Sequence, residues 1–134
     1  MQNESIRVLI VHGSQHLDTQ LADLLTSAGL ATRVVSESAS ALGSLEIWRP
    51  SVAVVDLRFP SGEAQRFCAT VARRPVADSP PLVFVGEGPN LLKPRDAVPS
   101  GLVPTPIDPD HLVATVLRLA RGVHGARSAS LVAR

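Results

Sequence analysis

The chain has 134 residues, which corresponds to one domain, and its 45% apolar and 19% charged residues allow a buried core rather than a disordered chain. The formal net charge of +1 predicts no general attraction to nucleic acid or to an anionic membrane. The single cysteine excludes an internal disulfide and a multi-cysteine zinc site, and without a membrane-length apolar run or a secretory signal we expect a cytoplasmic protein.

Short apolar runs alternate along the chain with longer segments of helical periodicity. The runs are rich in β-branched residues and almost continuously apolar, which is typical of strands buried on both faces. In chain order, strands are predicted at residues 6–11, 31–36, 51–57, 81–85 and 102–103. Helices are predicted at residues 17–28, 38–48, 62–73 and 110–121, with Gly29 and Pro50 as stop signals for the first two. This alternation predicts a parallel sheet covered by helices on both faces.

Two segments depart from the alternation. Between the fourth and fifth strands, Pro89, Pro94 and Pro99 interrupt the chain, so we expect any fourth helix to be short or irregular. Residues 122–134 are rich in small side chains, and we expect them to form a flexible tail or a linker. The predicted organisation is therefore one domain over residues 1–121 followed by a tail over residues 122–134.

Open parallel sheets bind ligands beyond the carboxyl ends of their strands, so the residues at those ends are candidates for a common pocket. The candidates are His12 and Gly13 after the first strand, Asp56 at the end of the third, Gly86 and Glu87 after the fourth, and Thr105 and Pro106 after the fifth. A carboxylate is costly to bury unless it is paired or reaches a polar cleft. Asp56 is therefore either part of a site or a helix-capping or loop acid.

The histidines, the single cysteine and the single tryptophan have simpler interpretations. His12 either pairs with Asp56, which would make the pair sensitive to pH near neutrality, or is a strand-end histidine bonded to backbone or solvent. His16, His111 and His124 lack partners at metal-ligand spacing and are interpreted as surface residues. Cys68 and Trp48 lie at apolar helix positions and are expected in the core.

From Arg7 to about Arg121, the chain resembles the receiver domain of bacterial two-component response regulators. The resemblance is carried by the segments RVLIV, VAVVDLRFPSGEA, PLVFV and TPIDPDHLVATV. It implies a flavodoxin-like, doubly wound, five-stranded parallel sheet with strand order 2-1-3-4-5. Asp56 matches the aspartate that accepts a phosphoryl group in that family. Pro106 matches a proline whose preceding peptide bond is typically cis.

The other functional positions of the family are changed in this sequence. His12 and Gly13 stand in place of the acidic pair that helps to hold a divalent cation. Thr105 stands in place of the lysine. Gly86, which is followed by Glu87, stands in place of the hydroxyl residue. Loss of one electrostatic donor alone costs about 10²–10³ in rate. Asp56 alone would hold Mg²⁺ poorly, since Mg²⁺ prefers several oxygen ligands. We therefore predict a degenerate pseudo-receiver that has no cofactor, is not an enzyme, and does not use Mg²⁺-dependent aspartyl phosphorylation.

The resemblance also indicates how such a module would act in signal transduction. In receivers, the face formed by the fourth-helix region, the fifth strand and the last helix carries output and dimer contacts. We expect a signalling protein or a second copy to bind there, and no nucleic acid or membrane. Candidate exposed apolar residues on this face are Val103, Ile107, Val113 and Leu117. The alternative is that these four side chains fill the core.

Two other functions stay open at this stage. Asp56 could still accept a phosphoryl group, with Glu87 or water replacing the lost acids. More remotely, His12-Gly13-Ser14 resembles the strand-end HGS segment of small tetrapyrrole chelatases, in which the histidine faces the metal. Such a chelatase would need a second strand-end histidine, and no other predicted strand ends in one.

Overall fold

The computed structural model of the protein describes residues 6–12, 20–58, 62–86 and 100–133, with residues 123–133 described as helical backbone. Five parallel strands form one sheet in the order β2-β1-β3-β4-β5. The strands are β1 (Arg7–His12), β2 (Ala31–Val35), β3 (Val52–Asp56), β4 (Leu82–Val85) and β5 (Ser100–Val103). The helices are α1 (Gln20–Ser27), α2 (Ser38–Ile47), α3 (Gly62–Ala72) and α4 (Pro109–Ala133), with a 3₁₀ turn at Val76–Asp78.

The sheet divides the hydrophobic core into two halves, one on each face. One half is packed from alternate strand residues together with α1 and α4, and includes Val8, Ile10, Leu25, Leu112 and Val116. The other half is packed with α2 and α3, and includes Leu9, Val11, Leu45, Phe67 and Phe84. Because β1, β3 and β4 are covered on both faces, their sequences read as continuous apolar runs. The predicted flavodoxin-like order 2-1-3-4-5 is therefore confirmed.

Two backbone features match their sequence expectations. Gly29 ends α1 with φ +90°, a left-handed conformation that glycine adopts without penalty, and the next residue, Leu30, donates its N–H to the Leu25 carbonyl at 3.1 Å. The peptide bond between Thr105 and Pro106 is cis, as the resemblance implied.

The last helix is longer than its predicted end at Arg121, because α4 continues to Ala133. Pro109 stands at its first position, where a missing N–H costs nothing, and no proline follows it. Gly122 and Gly125 each disfavour a helix by only about 1 kcal/mol, which is too little to end it. Whether residues 122–134 move as a tail stays a prediction.

Two further predictions concern the region before α4. The fifth strand begins at Ser100, two residues earlier than predicted. The expected short or irregular fourth helix falls in residues 87–99, which lie outside the described residues. Among the helices that the structure describes, none has both the length and the hydrophobicity to cross a lipid bilayer.

Candidate functional site

Asp56 is the last residue of β3 and lies at the carboxyl edge of the sheet, where the pocket was predicted. In the strand register it stands between His12 of β1 and Val85 of β4. Its side chain is 0% exposed. A carboxylate this deeply buried must be compensated by nearby donors, so its partners define what the site can do.

Arg58 supplies most of that compensation. Its Nε donates to Oδ1 of Asp56 at 3.0 Å, and its Nη2 donates to Oδ2 at 2.8 Å. The backbone N–H of Arg58 also donates to Oδ1 at 3.0 Å, so the turn after β3 closes on its own aspartate. The result is a two-pronged ion pair in which each carboxylate oxygen accepts a guanidinium N–H. Asp56 is therefore a paired carboxylate and not a helix cap.

The Arg58 guanidinium is held from its other side by α1. Its Nη1 donates to Oε1 of Gln20 at 2.9 Å. Gln20 opens α1, so the first helix and the turn after β3 are joined through one side chain. With three of its nitrogen atoms engaged, the guanidinium is fixed over the aspartate.

His12 approaches the same carboxylate from the neighbouring strand β1. Its Nε2 is 3.4 Å from Oδ2 of Asp56, and its side chain is only 3% exposed. The distance lies within ion-pair range and is long for a strong hydrogen bond. Burial rules out the solvated alternative for His12, and the register explains why the two side chains meet.

The remaining predicted pocket residues fall into two groups. Gly86 is buried with φ 151°, and its N–H donates to the Val103 carbonyl at 3.1 Å. Thr105 and Pro106 follow β5 at the same edge of the sheet. Gly13 and Glu87 lie outside the described residues.

The donor set around Asp56 does not fit a magnesium ion. Mg²⁺ takes several oxygen ligands in near-octahedral geometry. Both oxygens of Asp56 already accept N–H groups from Arg58, and the neighbouring strand offers an imidazole instead of a second carboxylate. Over the described ranges, no three His, Cys, Asp or Glu side chains come together as a metal site.

Arg58 is the functional residue that the sequence interpretation missed. A signal was present, because an arginine two residues after a strand-end aspartate can turn back onto it. Position 58 is not one of the positions at which receivers carry their acids, lysine and hydroxyl. The sequence therefore indicated which family residues are absent from the pocket, but not that Arg58 pairs with Asp56.

The predicted partner face needs one correction. Val103 is fully buried and belongs to the core, because β5 turns this residue toward α4. Its neighbour Leu102 points outward and is 47% exposed. Ile107, Val113 and Leu117 are half-buried and pack against the same half of the core.

Three other predicted roles agree with the side-chain positions. His111 is exposed on α4, with Nε2 3.2 Å from the Leu102 carbonyl. Cys68 packs against the core, and burial raises the pKa of its thiol to about 12. Trp48 packs against the same half of the core at the end of α2.

Known proteins resemble this chain both in sequence and in fold. No protein-family model matches the chain. Protein Rrf1 of Nitratidesulfovibrio vulgaris is 31% identical over 114 residues, which cover 84% of this chain and 80% of that protein. The fold is similar to a sensor protein from Polaromonas sp. JS666, with a TM-score of 0.73 and 19% identity over 88% of this chain and 98% of that one.

Two further solved structures have the same fold. The signal receiver domain of a response regulator from Bermanella marisrubri has a TM-score of 0.70 and 19% identity over 84% of this chain and 96% of that one. The pseudo-receiver domain of the CikA protein has a TM-score of 0.67 and 22% identity over 86% of this chain and 97% of that one. The structural neighbours include receiver domains both with and without the pseudo-receiver designation.

Proposed function

The chain belongs to the receiver-domain family of response regulators, and from the arrangement around Asp56 we propose that it is a phosphorylation-independent, cytoplasmic pseudo-receiver. In this proposal the domain is not an enzyme and needs no magnesium ion. It acts in signal transduction by binding a protein partner or a second copy of itself. The position of Asp56 is kept, but its carboxylate has a structural role.

The two-pronged ion pair between Arg58 and Asp56 is the observation that carries this proposal. An aspartate that accepts a phosphoryl group must direct an oxygen lone pair at phosphorus. Here each oxygen accepts a guanidinium N–H at 2.8–3.0 Å. Attack would require the guanidinium to leave a carboxylate that is 0% exposed, and an unpaired buried carboxylate costs several kcal/mol, on the order of 3–5.

Charge balance supports the same conclusion. In a phosphorylated receiver, a divalent cation and a lysine neutralise the transferring phosphoryl oxygens. Here Arg58 already balances the charge of Asp56, and His12 stands where the family carries an acid. Thr105 occupies the lysine position and has no positive charge to offer. A cation entering this pocket would meet a fixed guanidinium rather than an acidic pair.

The proposed partner surface is the outer face of β5 and the adjacent part of α4. Leu102 replaces Val103 as its exposed apolar residue, and the half-buried Ile107, Val113 and Leu117 border the face. In this proposal no phosphoryl group or cation enters or leaves the Asp56 pocket. The partner surface would therefore keep one conformation. Regulation would then come from the availability of the partner.

Intact-mass analysis after incubation with acetyl phosphate and Mg²⁺ tests the proposal. We expect no phosphoryl adduct on the wild type or on Asp56→Asn, while a receiver with the full acidic pair, treated in parallel, gains one. Two-dimensional NMR during a Mg²⁺ titration should show no saturable shift of the amide of Arg58, which is bonded to Oδ1. An adduct on the wild type that Asp56→Asn abolishes would overturn the proposal and establish the phosphoacceptor alternative.

A further inference from the structure

The single tryptophan of the chain is surrounded by arginines at the β1–β2 edge of the sheet. The Cζ atom of Arg33 lies 5.7 Å from the centroid of the Trp48 ring, and that of Arg7 lies 5.9 Å from it. Arg7 also donates from Nη2 to the Arg49 carbonyl at 3.3 Å. We name the group formed by Arg7, Arg33, Trp48 and Arg49 the basic corner.

The positive charge of the basic corner is not balanced within the described part of the chain. The ion pairs there join Asp56 to Arg58 and His12, Glu63 to Arg66, and Glu46 to Arg74. No described carboxylate lies within ion-pair distance of the three arginines of the corner. Like charges held this close repel one another, so a bound external anion would reduce the repulsion among the arginines.

One donor in the corner is buried without a hydrogen bond. The Nε atom of Arg7 is shielded from solvent and makes no hydrogen bond to any described residue. Buried polar groups are normally satisfied, so this unused N–H adds to the unbalanced polar character of the corner. A cation–π contact holds a guanidinium near the indole without using its N–H donors.

An exposed apolar residue precedes Trp48 in the chain. Ile47, the last residue of α2, precedes Trp48 and is 84% exposed, the largest exposure among the described large hydrophobic residues. Arg33 is itself exposed on β2, which is the edge strand of the sheet. The basic corner therefore has an exposed aliphatic residue beside Trp48 in the chain.

We infer that the basic corner is a docking site for an acidic segment of a partner protein that carries an apolar side chain beside its carboxylates. Carboxylates match the planar N–H fork of arginine, and the apolar side chain would cover Ile47. The inference is independent of the proposed function. Arg7 begins β1 and His12 ends it, so the corner lies one strand length from Asp56.

Trp48 makes the site directly observable, because no other tryptophan contributes to the emission. The test titrates the full chain with a blocked synthetic peptide of alternating Glu and Leu residues while the fluorescence is recorded. We expect a saturable change that weakens as salt is raised, since exposed charge pairs are screened. The same peptide with Gln in place of Glu should produce no saturable change.

Matched variants locate the binding. Arg33→Gln removes one exposed charge of the corner and should weaken binding of the peptide by up to about fivefold, the upper end for an exposed ion pair. Arg7→Gln should weaken it at least as much. Arg73→Gln removes an exposed arginine at the end of α3 and should leave the affinity unchanged.

Three results would overturn the inference. The first is an absence of saturable change with the acidic peptide. The second is equal weakening by Arg33→Gln and Arg73→Gln, which would indicate a general charge effect. The third is saturation by inorganic phosphate or by anionic lipid vesicles at lower concentration than by the peptide, which would assign the corner to a phosphate group or a membrane surface instead.

Discussion

His12 and Asp56 face each other across neighbouring strands, with Nε2 of the imidazole 3.4 Å from Oδ2 of the carboxylate. In a phosphorylated receiver the position of His12 helps to hold a cation for the aspartate. Here an imidazole and the Arg58 guanidinium approach the same carboxylate from the protein itself. The buried carboxylate of Asp56 is therefore compensated by side chains of the protein itself.

Replacement of Arg58 by methionine should strongly destabilise the fold. It would leave Asp56 buried without its main partner, and breaking a buried pair costs about 3–5 kcal/mol. Urea unfolding followed by circular dichroism measures the loss. Arg66→Met, which breaks the exposed pair with Glu63, is the matched control and should cost less than about 1 kcal/mol.

The double variant Asp56→Asn with Arg58→Met separates charge from packing. Because no buried charge is left unpaired, it should recover part of the stability lost in Arg58→Met alone. If Arg58→Met cost no more than Arg66→Met, the ion pair would not be structural. The pair with Arg58 would then not withhold Asp56 from phosphorylation.

The sequence was sufficient for the sheet and for placing His12 and Asp56 at the same edge of it, but it left open whether the two side chains pair. Continuous β-branched runs identify buried parallel strands, and residues that end neighbouring strands must lie at one edge. Arg58 was not predicted because the path of a long side chain two residues past a strand depends on the local turn. The predicted fifth strand contained only two apolar residues, which are too few to show an alternating pattern. The sequence therefore could not indicate that the Val103 side chain faces the core.

Replacement of Gly101 by alanine should destabilise the packing of β5 on α4. A Cβ atom at this position would lie 2.8 Å from Cγ2 of Thr115 and 3.2 Å from Cδ1 of Leu119. Such overpacking typically costs about 1–3 kcal/mol, and thermal unfolding should show a lowered midpoint. Gly43→Ala, in α2 with open space around the new atom, should instead raise stability by about 0.5–1 kcal/mol. Equal effects of both variants would contradict the close contact.

Cys68 should react slowly with thiol reagents in the folded protein. Burial raises the pKa of its thiol to about 12, so almost no thiolate is present near neutral pH. The absorbance of a disulfide reagent at mildly alkaline pH measures the rate. The unfolded chain in denaturant is the control and should react many times faster. A fast reaction of the folded chain would show that the thiol is more accessible than its contacts imply.

The first turn of α2 is capped from another helix, which gives stability a dependence on pH. The N-cap residue Glu37 makes no side-chain cap bond, and the Ser38 N–H is bonded instead to Oε1 of Glu63 on α3 at 2.7 Å. This bond, followed by the charge of Arg66, lowers the pKa of Glu63 below its usual 4.5.

The charged form of Glu63 therefore stabilises the fold above the unfolded pKa, and this contribution is lost as pH falls through the lowered folded pKa. Glu63→Gln should be less stable than the wild type at neutral pH, and the two should converge in acid. Urea midpoints measured along a pH series test this. Glu37→Gln is the control and should lower neutral-pH stability less than Glu63→Gln does. A stability difference between wild type and Glu63→Gln that stayed constant down to strong acid would show that the cap does not depend on the carboxylate charge.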